Sequence, residues 1–384
     1  MNLLKPIRIL TPQLDLLAEI DNYESLLFTR RWHEIGEFEL RINKHKQHTE
    51  FLQRGNIIML HASRNKVGII KHREIVLDEN GKKTENWLVK GIALKGVMAQ
   101  RLVVPPVNDS HDRANGSAET VMKHYVNNHI VNPVDVKRKI DMLVLANDQQ
   151  RGSRISWESR FKKLDDELIE ISKASGLGWD VTLDFSSKTW VFDVYEGRNL
   201  TVNQTENPPV IFSPQFESLK QLSFVESDLN YRNYGYIAGQ GEGEDRRVVE
   251  VGEAAGLSRI EIFIDARDIS EQDEEQQSLP ENEIVAKLQQ RGQQKLSEFT
   301  QDFFLEGQIL TNSPFKYETD YDLGDVVTIQ NREWGVTRDA RITEIKEIYE
   351  PGGFQLEATF GESRPTLVKK LKQELSQISG EVRK

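Results

Sequence analysis

No cysteine occurs among the 384 residues. Disulfide scaffolds, thiolate metal sites, iron–sulfur clusters and cysteine nucleophiles are excluded together. Positive charge is also scarce: 50 Lys and Arg against 61 Asp and Glu leave a formal net charge of −11 and a pI near 5.4. A sequence-independent nucleic-acid binder needs a basic face, so holding nucleic acid is not the expected main task. No window approaches about eighteen consecutive apolar residues, the length a spanning helix needs. The opening Met1-Asn2-Leu3-Leu4-Lys5-Pro6 lacks the apolar core and small-residue cleavage site of a secretory signal. Folding in a reducing cytoplasm, with no direct membrane insertion, is the expectation.

Catalytic strings are missing too. There is no Gly-x-Ser-x-Gly elbow, no His-Glu-x-x-His pair and no Gly-Lys-Ser/Thr phosphate loop. Gly235-Tyr236-Ile237-Ala238-Gly239-Gln240-Gly241-Glu242-Gly243 is the loudest local feature. As a phosphate cradle it should follow a buried strand, open a helix and avoid acids. Glu242, Glu244 and Asp245 argue instead for a glycine-rich turn or bulged strand end. The histidine pairs His45/His48 and His124/His129 lack zinc spacing, and lysines flank His45. Asp320-Tyr321-Asp322-Leu323-Gly324-Asp325 resembles a calcium loop, but Asn331 stands where the bidentate glutamate belongs. It reads as a turn feeding the strand that begins at Asp325. No catalytic residue, cofactor site or metal ligand is expected.

What is present is strand patterning. In Glu37-Phe38-Glu39-Leu40-Arg41-Ile42 charged and apolar residues alternate without a break, the mark of a half-buried strand. Ser25–Trp32, Ile57–His61, Val67–Asp78 and Thr84–Leu94 are further strands. Asn80-Gly81 turns the last pair into a hairpin. After Pro105-Pro106 the period changes. Ser117 caps a helix through Val121, Met122 and Tyr125. A second helix is expected from about Trp157 to Ser175, with Phe161, Leu164, Leu168 and Ile171 on one face and Gly176 at its end. Strands follow at Trp179–Asp184 and Thr189–Glu196. Beyond Asn207-Pro208-Pro209 strands return at Leu222–Val225, Tyr234–Ala238, Val248–Val251 and Arg259–Ile264. Seven acids and no base lie between Asp268 and Glu283, a solvated loop into a helix at about Glu281–Phe303. The strict alternation of Phe354–Phe360 closes the pattern, before a charged helix with Leu371, Leu375, Ile378 and Val382 on one stripe.

The expected fold is α+β, mainly β. The expected division is a first β-barrel over 1–105, an inserted α+β domain over 106–213, a second β-barrel over 214–362 with a helical insertion near 280–303, and a C-terminal charged helix over 363–384.

Several strings carry a resemblance through their order. They are Arg31-Trp32-His33-Glu34-Ile35-Gly36 before Phe38–Ile42, and Lys90-Gly91-Ile92-Ala93-Leu94-Lys95-Gly96-Val97-Met98. Next come Gly176-Leu177-Gly178-Trp179-Asp180-Val181, then Gly239–Gly243 with Arg246. Tyr321-Asp322-Leu323-Gly324-Asp325-Val326-Val327, Arg341-Ile342-Thr343-Glu344-Ile345 and Ala358-Thr359-Phe360-Gly361 complete the set. From about Arg8 to Gly361 the chain resembles the tail-hub proteins of long-tailed phages, the siphovirus minor tail proteins related to the baseplate hub.

The resemblance implies two tail-tube-like barrels per chain and a homotrimer with pseudo-six-fold symmetry. It implies partners above, the tail tube or tape-measure protein and the distal tail protein, and tip or receptor-binding proteins below. It implies a virion tail component with no enzymatic activity, through which DNA passes on ejection without specific binding; an acidic lumen would suit that passage. Longer relatives carry a C-terminal hydrolase or receptor-binding extension, for which about twenty residues after Gly361 leave no room. Two other classes stay open at this point. One is a tail-associated cell-wall hydrolase using a carboxylate such as Asp165 or Asp166. The other is a host-receptor or carbohydrate-binding adhesin.

Overall fold

The alternation in Glu37–Ile42 becomes a strand whose Phe38, Leu40 and Ile42 are buried while the charges between them reach water. The structure is a computed structural model and describes residues 4–76, 85–267, 269–272, 277–299, 301–310 and 313–361. The first seven strands are β1 (Ile7–Leu10), β2 (Leu16–Ile20), β3 (Ser25–Arg31), β4 (Glu37–Asn43), β5 (Ile57–Leu60), β6 (Val67–Glu74) and β7 (Asn86–Ala93). They pair antiparallel in the order β3-β4-β7-β6-β5-β1-β2. The expected Asn80-Gly81 turn lies outside the described residues.

In β5 every residue of Ile-Ile-Met-Leu is buried. The cause is a core on each face. Ile58 and Leu60 join Ile7, Ile9, Phe28, Phe38 and Leu40 on one side. Ile57 and Met59 join Val67, Ile69 and Leu94 on the other. Period-two alternation vanishes where both faces are dry.

That second face is covered by the α+β segment. It contains β8 (Asp112–Ser117), α1 (Ala118–Val126), β9 (Leu143–Leu145), β10 (Arg154–Ser159), α2 (Leu164–Ser175), β11 (Gly178–Asp184) and β12 (Thr189–Tyr195). Ser117 caps α1 by accepting a hydrogen bond from the Thr120 amide at 3.2 Å. Gly176, at φ 74°, closes α2 in the left-handed conformation. Val121, Tyr125, Leu168, Ile171, Trp179 and Phe192 share one core with Ile57 and Met59 of the first sheet.

The second helix is shorter than its sequence pattern predicts. Trp157 lies in β10, opposite Ala114 of β8. Phe161 has φ 49° and is exposed. Its three-residue spacing to Leu164 coincides with helical periodicity although the chain is turning there.

The chain returns through β13 (Asn199–Leu200), β14 (Ile211–Phe212) and β15 (Leu219–Ser227). It then forms β16 (Tyr234–Ala238), β17 (Val248–Val251), β18 (Glu261–Asp265) and α3 (Glu281–Leu296), followed by β19 (Asp302–Ile309), β20 (Val326–Asn331), β21 (Val336–Glu350) and β22 (Gly353–Gly361). The helix expected to reach Phe303 ends at Leu296. Phe303 belongs to β19, its ring 5.8 Å from that of Phe224. The charged helix expected over 363–384 lies outside the described residues.

β21 is the connector. Val336–Arg341 pairs with β20, Glu344–Tyr349 pairs with β3, and nearly the whole second half also pairs with β22. One sheet therefore runs β15-β19-β22-β21-β3-β4-β7-β6-β5-β1-β2, with β20, β13 and β14 branching from β21. The protein is mainly β with few helices. Two barrels are expected from the sequence; among the described residues the pairing gives an open sheet and no closed barrel.

Two compact units result, Met1–Ser223 with Leu305–Gly361, and Phe224–Phe304. In the second, β16 pairs antiparallel with β17 and parallel with β18. Ile237, Ile264, Ile284 and Leu288 bury against one another between these strands and α3.

Candidate functional site

The strings quoted above, far apart in sequence, meet around Trp32. Its backbone amide donates to the Thr343 carbonyl at 2.8 Å. Its indole Nε1 donates to the Gly176 carbonyl at 3.1 Å. A Cβ on Gly178 would stand 2.4 Å from the Trp32 ring, and one on Gly324 2.1 Å away. Both positions are glycine because the indole fills the space a side chain would take, and Gly324 also holds φ +93°. Trp179 answers from the other side, its Nε1 donating to the His33 carbonyl at 2.9 Å.

Lys95 closes this junction from beneath. Its ammonium donates to the carbonyls of Arg31 at 2.7 Å and Trp179 at 3.0 Å and lies 4.7 Å from the Trp179 ring centroid. Burial pulls the Lys95 pKa down to about 8 against the pull of Asp180. His33 accepts or donates at 2.7 Å to Ser172 Oγ. Burial, with Lys173, Arg341 and Lys95 nearby, drops its pKa to about 3, so it stays neutral at working pH. The junction joins β3, β11 and the β20–β21 ribbon; its one hydroxyl–imidazole contact, Ser172 with His33, has the serine fully buried and its hydroxyl donating to the Leu177 carbonyl at 2.5 Å.

A second convergence escapes sequence reading altogether. Lys66 is fully buried, with its ammonium 2.6 Å from a carboxylate oxygen of Glu347 and 2.6 Å from one of Glu318. Tyr317 donates its hydroxyl to Glu347 at 2.9 Å, and Tyr349 donates to the same carboxylate. Arg30 reaches Tyr317 and Asp322, both at 2.5 Å. Burial raises the Glu347 carboxyl, but Lys66 and Arg30, with the hydrogen bonds, outweigh it and hold the carboxyl below its ordinary value. The only signal in the sequence was a lysine placed directly before an apolar strand, and its partners lie some 250 to 280 positions away.

The glycine-rich stretch Gly239–Gly243 joins the antiparallel strands β16 and β17 and opens only a single 3-10 turn, Gly243–Asp245, not an α-helix. Arg246 folds back onto the carbonyls of Gly239 and Ala238 and onto Asp265. In the calcium-like turn, Asp325 pairs with Arg198 at 2.6 Å, Asp322 with Arg30, and Asp320 accepts the Lys316 amide. Arginines occupy the carboxylates of Asp322 and Asp325, and a backbone amide that of Asp320. Asp165 is buried in the first turn of α2, where burial and then Asp166 raise its carboxyl, whereas Asp166 is exposed. His45 is exposed, 3.5 Å from Glu85.

His124 and His129 do come together, on one carboxylate. Their Nε2 atoms lie 2.7 and 2.8 Å from the two oxygens of buried Asp112. Burial raises Asp112, but the imidazole hydrogen bonds prevail and hold its pKa near 2, against an ordinary 3.8. A depressed carboxyl stabilises the fold above its unfolded pKa, and that contribution disappears as pH falls through the folded value. Asp112→Asn is therefore expected to lose about 2 kcal/mol at pH 7 and to show a shallower fall in Tm between roughly pH 5 and pH 2 than the parent. Parallel Tm–pH curves for the two proteins would refute this assignment.

The family model described as Siphovirus ReqiPepy6 Gp37-like protein matches residues 6–362. The 43 kDa tail protein of prophage MuSo2 from Shewanella oneidensis is similar at 13% identity and TM-score 0.56, over 94% of this chain and 99% of that one. A tail protein from Neisseria meningitidis MC58 is similar at 13% identity and TM-score 0.53, over 93% and 96%. The prophage tail protein gp18 from Listeria monocytogenes EGD-e follows at 12% identity and TM-score 0.50, over 98% and 99%. At these identities the structural likeness speaks for the fold alone. No protein with a curated description matches the sequence significantly.

Proposed function

The chain belongs to the siphovirus ReqiPepy6 Gp37-like family and is a component of the virion tail, and from that premise we propose that it is the structural hub of the tail tip. In this reading three copies form a ring. Each contributes two tube-like halves, 1–105 and 214–362, with the α+β segment 106–213 between them. Six halves in a trimer match the six-fold tail tube and distal tail protein on one side, and three chains match three-fold tip or receptor-binding proteins on the other. DNA passes through the ring without specific binding, and the chain has no catalytic task.

The single observation that supports the reading is the connector strand β21. It pairs with the C-terminal strands β20 and β22 and with β3 of the N-terminal sheet, so strands from both ends of the chain share one sheet. Among the described residues the terminal strand β2 is hydrogen-bonded on one side only, which leaves an edge for a neighbour.

Light scattering on the purified chain is expected to give about 133 kDa, three times the 44.2 kDa of one chain, with three-fold rings in negative stain. If the chain alone is monomeric, co-expression with the distal tail protein is expected to give the ring. Intact, infectious particles from a phage lacking this gene would overturn the proposal.

A further inference from the structure

One surface of the α+β segment runs against the charge of the whole chain. Three stretches lie side by side there. The Val103 amide donates to the Lys162 carbonyl at 2.8 Å and the Phe161 amide to the Val103 carbonyl at 2.7 Å. Arg101 Nε donates to the Arg138 carbonyl at 2.8 Å, and Arg138 returns a bond to the Leu102 carbonyl at 2.5 Å. Residues 101–107, 133–139 and 160–163 thus form one ledge. They hold seven cations and a single acid, Asp135, in a chain whose net charge is −11.

Two of the seven cations meet carboxylates, Lys162 those of Glu167 and Glu170 and Lys139 that of Asp141. Arg101, Lys137, Arg138, Arg160 and Lys163 have no carboxylate within ion-pair distance among the described residues, whereas Arg31, Arg198 and Arg246 each grip one. Arg138 is held below the ordinary guanidinium range by burial first and then by the charge of Arg101. The same ledge exposes apolar side chains: Val107 is 82% exposed, Val134 92%, Val136 77% and Phe161 50%. Isolated exposed apolar residues need no explanation, but a group of them on one basic ledge does.

How the two kinds of residue are mixed selects the partner. Protein interfaces gather apolar residues centrally, place charge at the rim and are poor in lysine. Here each string interleaves them: Arg101-Leu102, Val136-Lys137-Arg138-Lys139, Arg160-Phe161-Lys162-Lys163. Nucleic acid would use the cations but leave the valines idle. A surface with phosphates above hydrocarbon uses both: long cationic side chains reach the headgroups while short apolar ones enter the boundary beneath.

We propose that the ledge formed by residues 101–107, 133–139 and 160–163 is a peripheral binding surface for anionic lipid, seated at headgroup depth. It does not depend on the ring or its stoichiometry, so it survives or fails separately from the hub reading.

The test is co-sedimentation of the full chain with vesicles of phosphatidylcholine alone and of phosphatidylcholine mixed with phosphatidylglycerol. Binding to the anionic vesicles only is expected. It should be lost on going from about 0.1 M to about 1 M salt, as the screening length shrinks from about 10 to 3 Å. The exposed double variant Lys137→Glu/Lys139→Glu is expected to bind at least about tenfold more weakly, at roughly one kcal/mol per cation near the surface. Val134→Ser/Val136→Ser should weaken binding while leaving its salt dependence in place. No binding, equal binding to neutral vesicles, or binding unchanged in both variants overturns the proposal. A chain that ignores vesicles but whose light-scattering mass falls with the charge reversal would assign the ledge to contacts between chains, and also overturn it.

Discussion

Trp32→Ala is expected to unfold the first unit at a temperature lower by on the order of 10 °C. The indole is nearly fully buried, lies against the backbone at Gly178 and Gly324, and bonds the end of α2 through the Gly176 carbonyl. Truncating a buried tryptophan costs about 3–5 kcal/mol, because the cavity only partly collapses. At about 2–4 °C per kcal/mol for a domain of this size, differential scanning calorimetry resolves the loss easily. The two glycines give the test its specificity. Gly178→Ala places a methyl 2.4 Å from the ring and is expected to cost about 1–3 kcal/mol by overpacking. In the Trp32→Ala background the methyl has space, so most of that cost should disappear as a coupling of about 0.5–3 kcal/mol. Gly324→Ala should retain a penalty in both backgrounds, since φ +93° strains any L side chain. Equal costs for Gly178→Ala with and without Trp32 would show that the ring does not occupy that space.

This junction also shows how far the sequence could be read. Local chemistry was legible. The Ser117 cap, the Gly176 stop, the alternation of β4 and the spans of β16 and β17 all depend on neighbours a few residues apart. The strings behind the family resemblance were legible as strings, but nothing in them says that Trp32, Gly178, Gly324 and Thr343 touch. Pairing between β3 and β21 joins residues more than 300 positions apart, and alternation specifies a face without naming a partner strand. For that reason two barrels were expected, whereas among the described residues β21 stitches strands from both ends of the chain into one open sheet. The apolar run Ile57–Leu60 hid its reason in the same way, because its second dry face is supplied by α1, α2 and β12. Phe161 misled for a different cause: a turn happened to place it at helical spacing from Leu164. The lipid-facing ledge was invisible in a composition dominated by acid, since its cations come from three separate stretches.

The network around Lys66 was equally silent, and removing its central cation is the second large effect expected. Lys66→Met keeps the length of the side chain but leaves Glu347 fully buried with two tyrosine hydroxyls and no adjacent ammonium. Breaking a buried pair from one side costs about 3–5 kcal/mol, because the remaining charge is uncompensated. Glu347→Leu alone strands Lys66 with only the half-exposed Glu318 and should cost a similar amount. The double variant Lys66→Met/Glu347→Leu is expected to be more stable than either single one, as apolar replacement of a whole buried pair often is. The pH dependence gives the sign. In the parent, Glu347 sits below its ordinary 4.5, so its contribution is present above that pH and is lost as pH falls through the folded value. Without Lys66 only Arg30 and the tyrosine hydroxyls oppose burial, so the carboxyl rises from its parent value and acid protonates it more readily in the folded state, which relieves the variant. The stability gap between parent and Lys66→Met, measured by urea unfolding, should therefore narrow from pH 7 toward about pH 4.5. A gap that stays constant over that range would mean that Lys66 acts through packing alone and that no buried ion pair joins β21 to the first sheet.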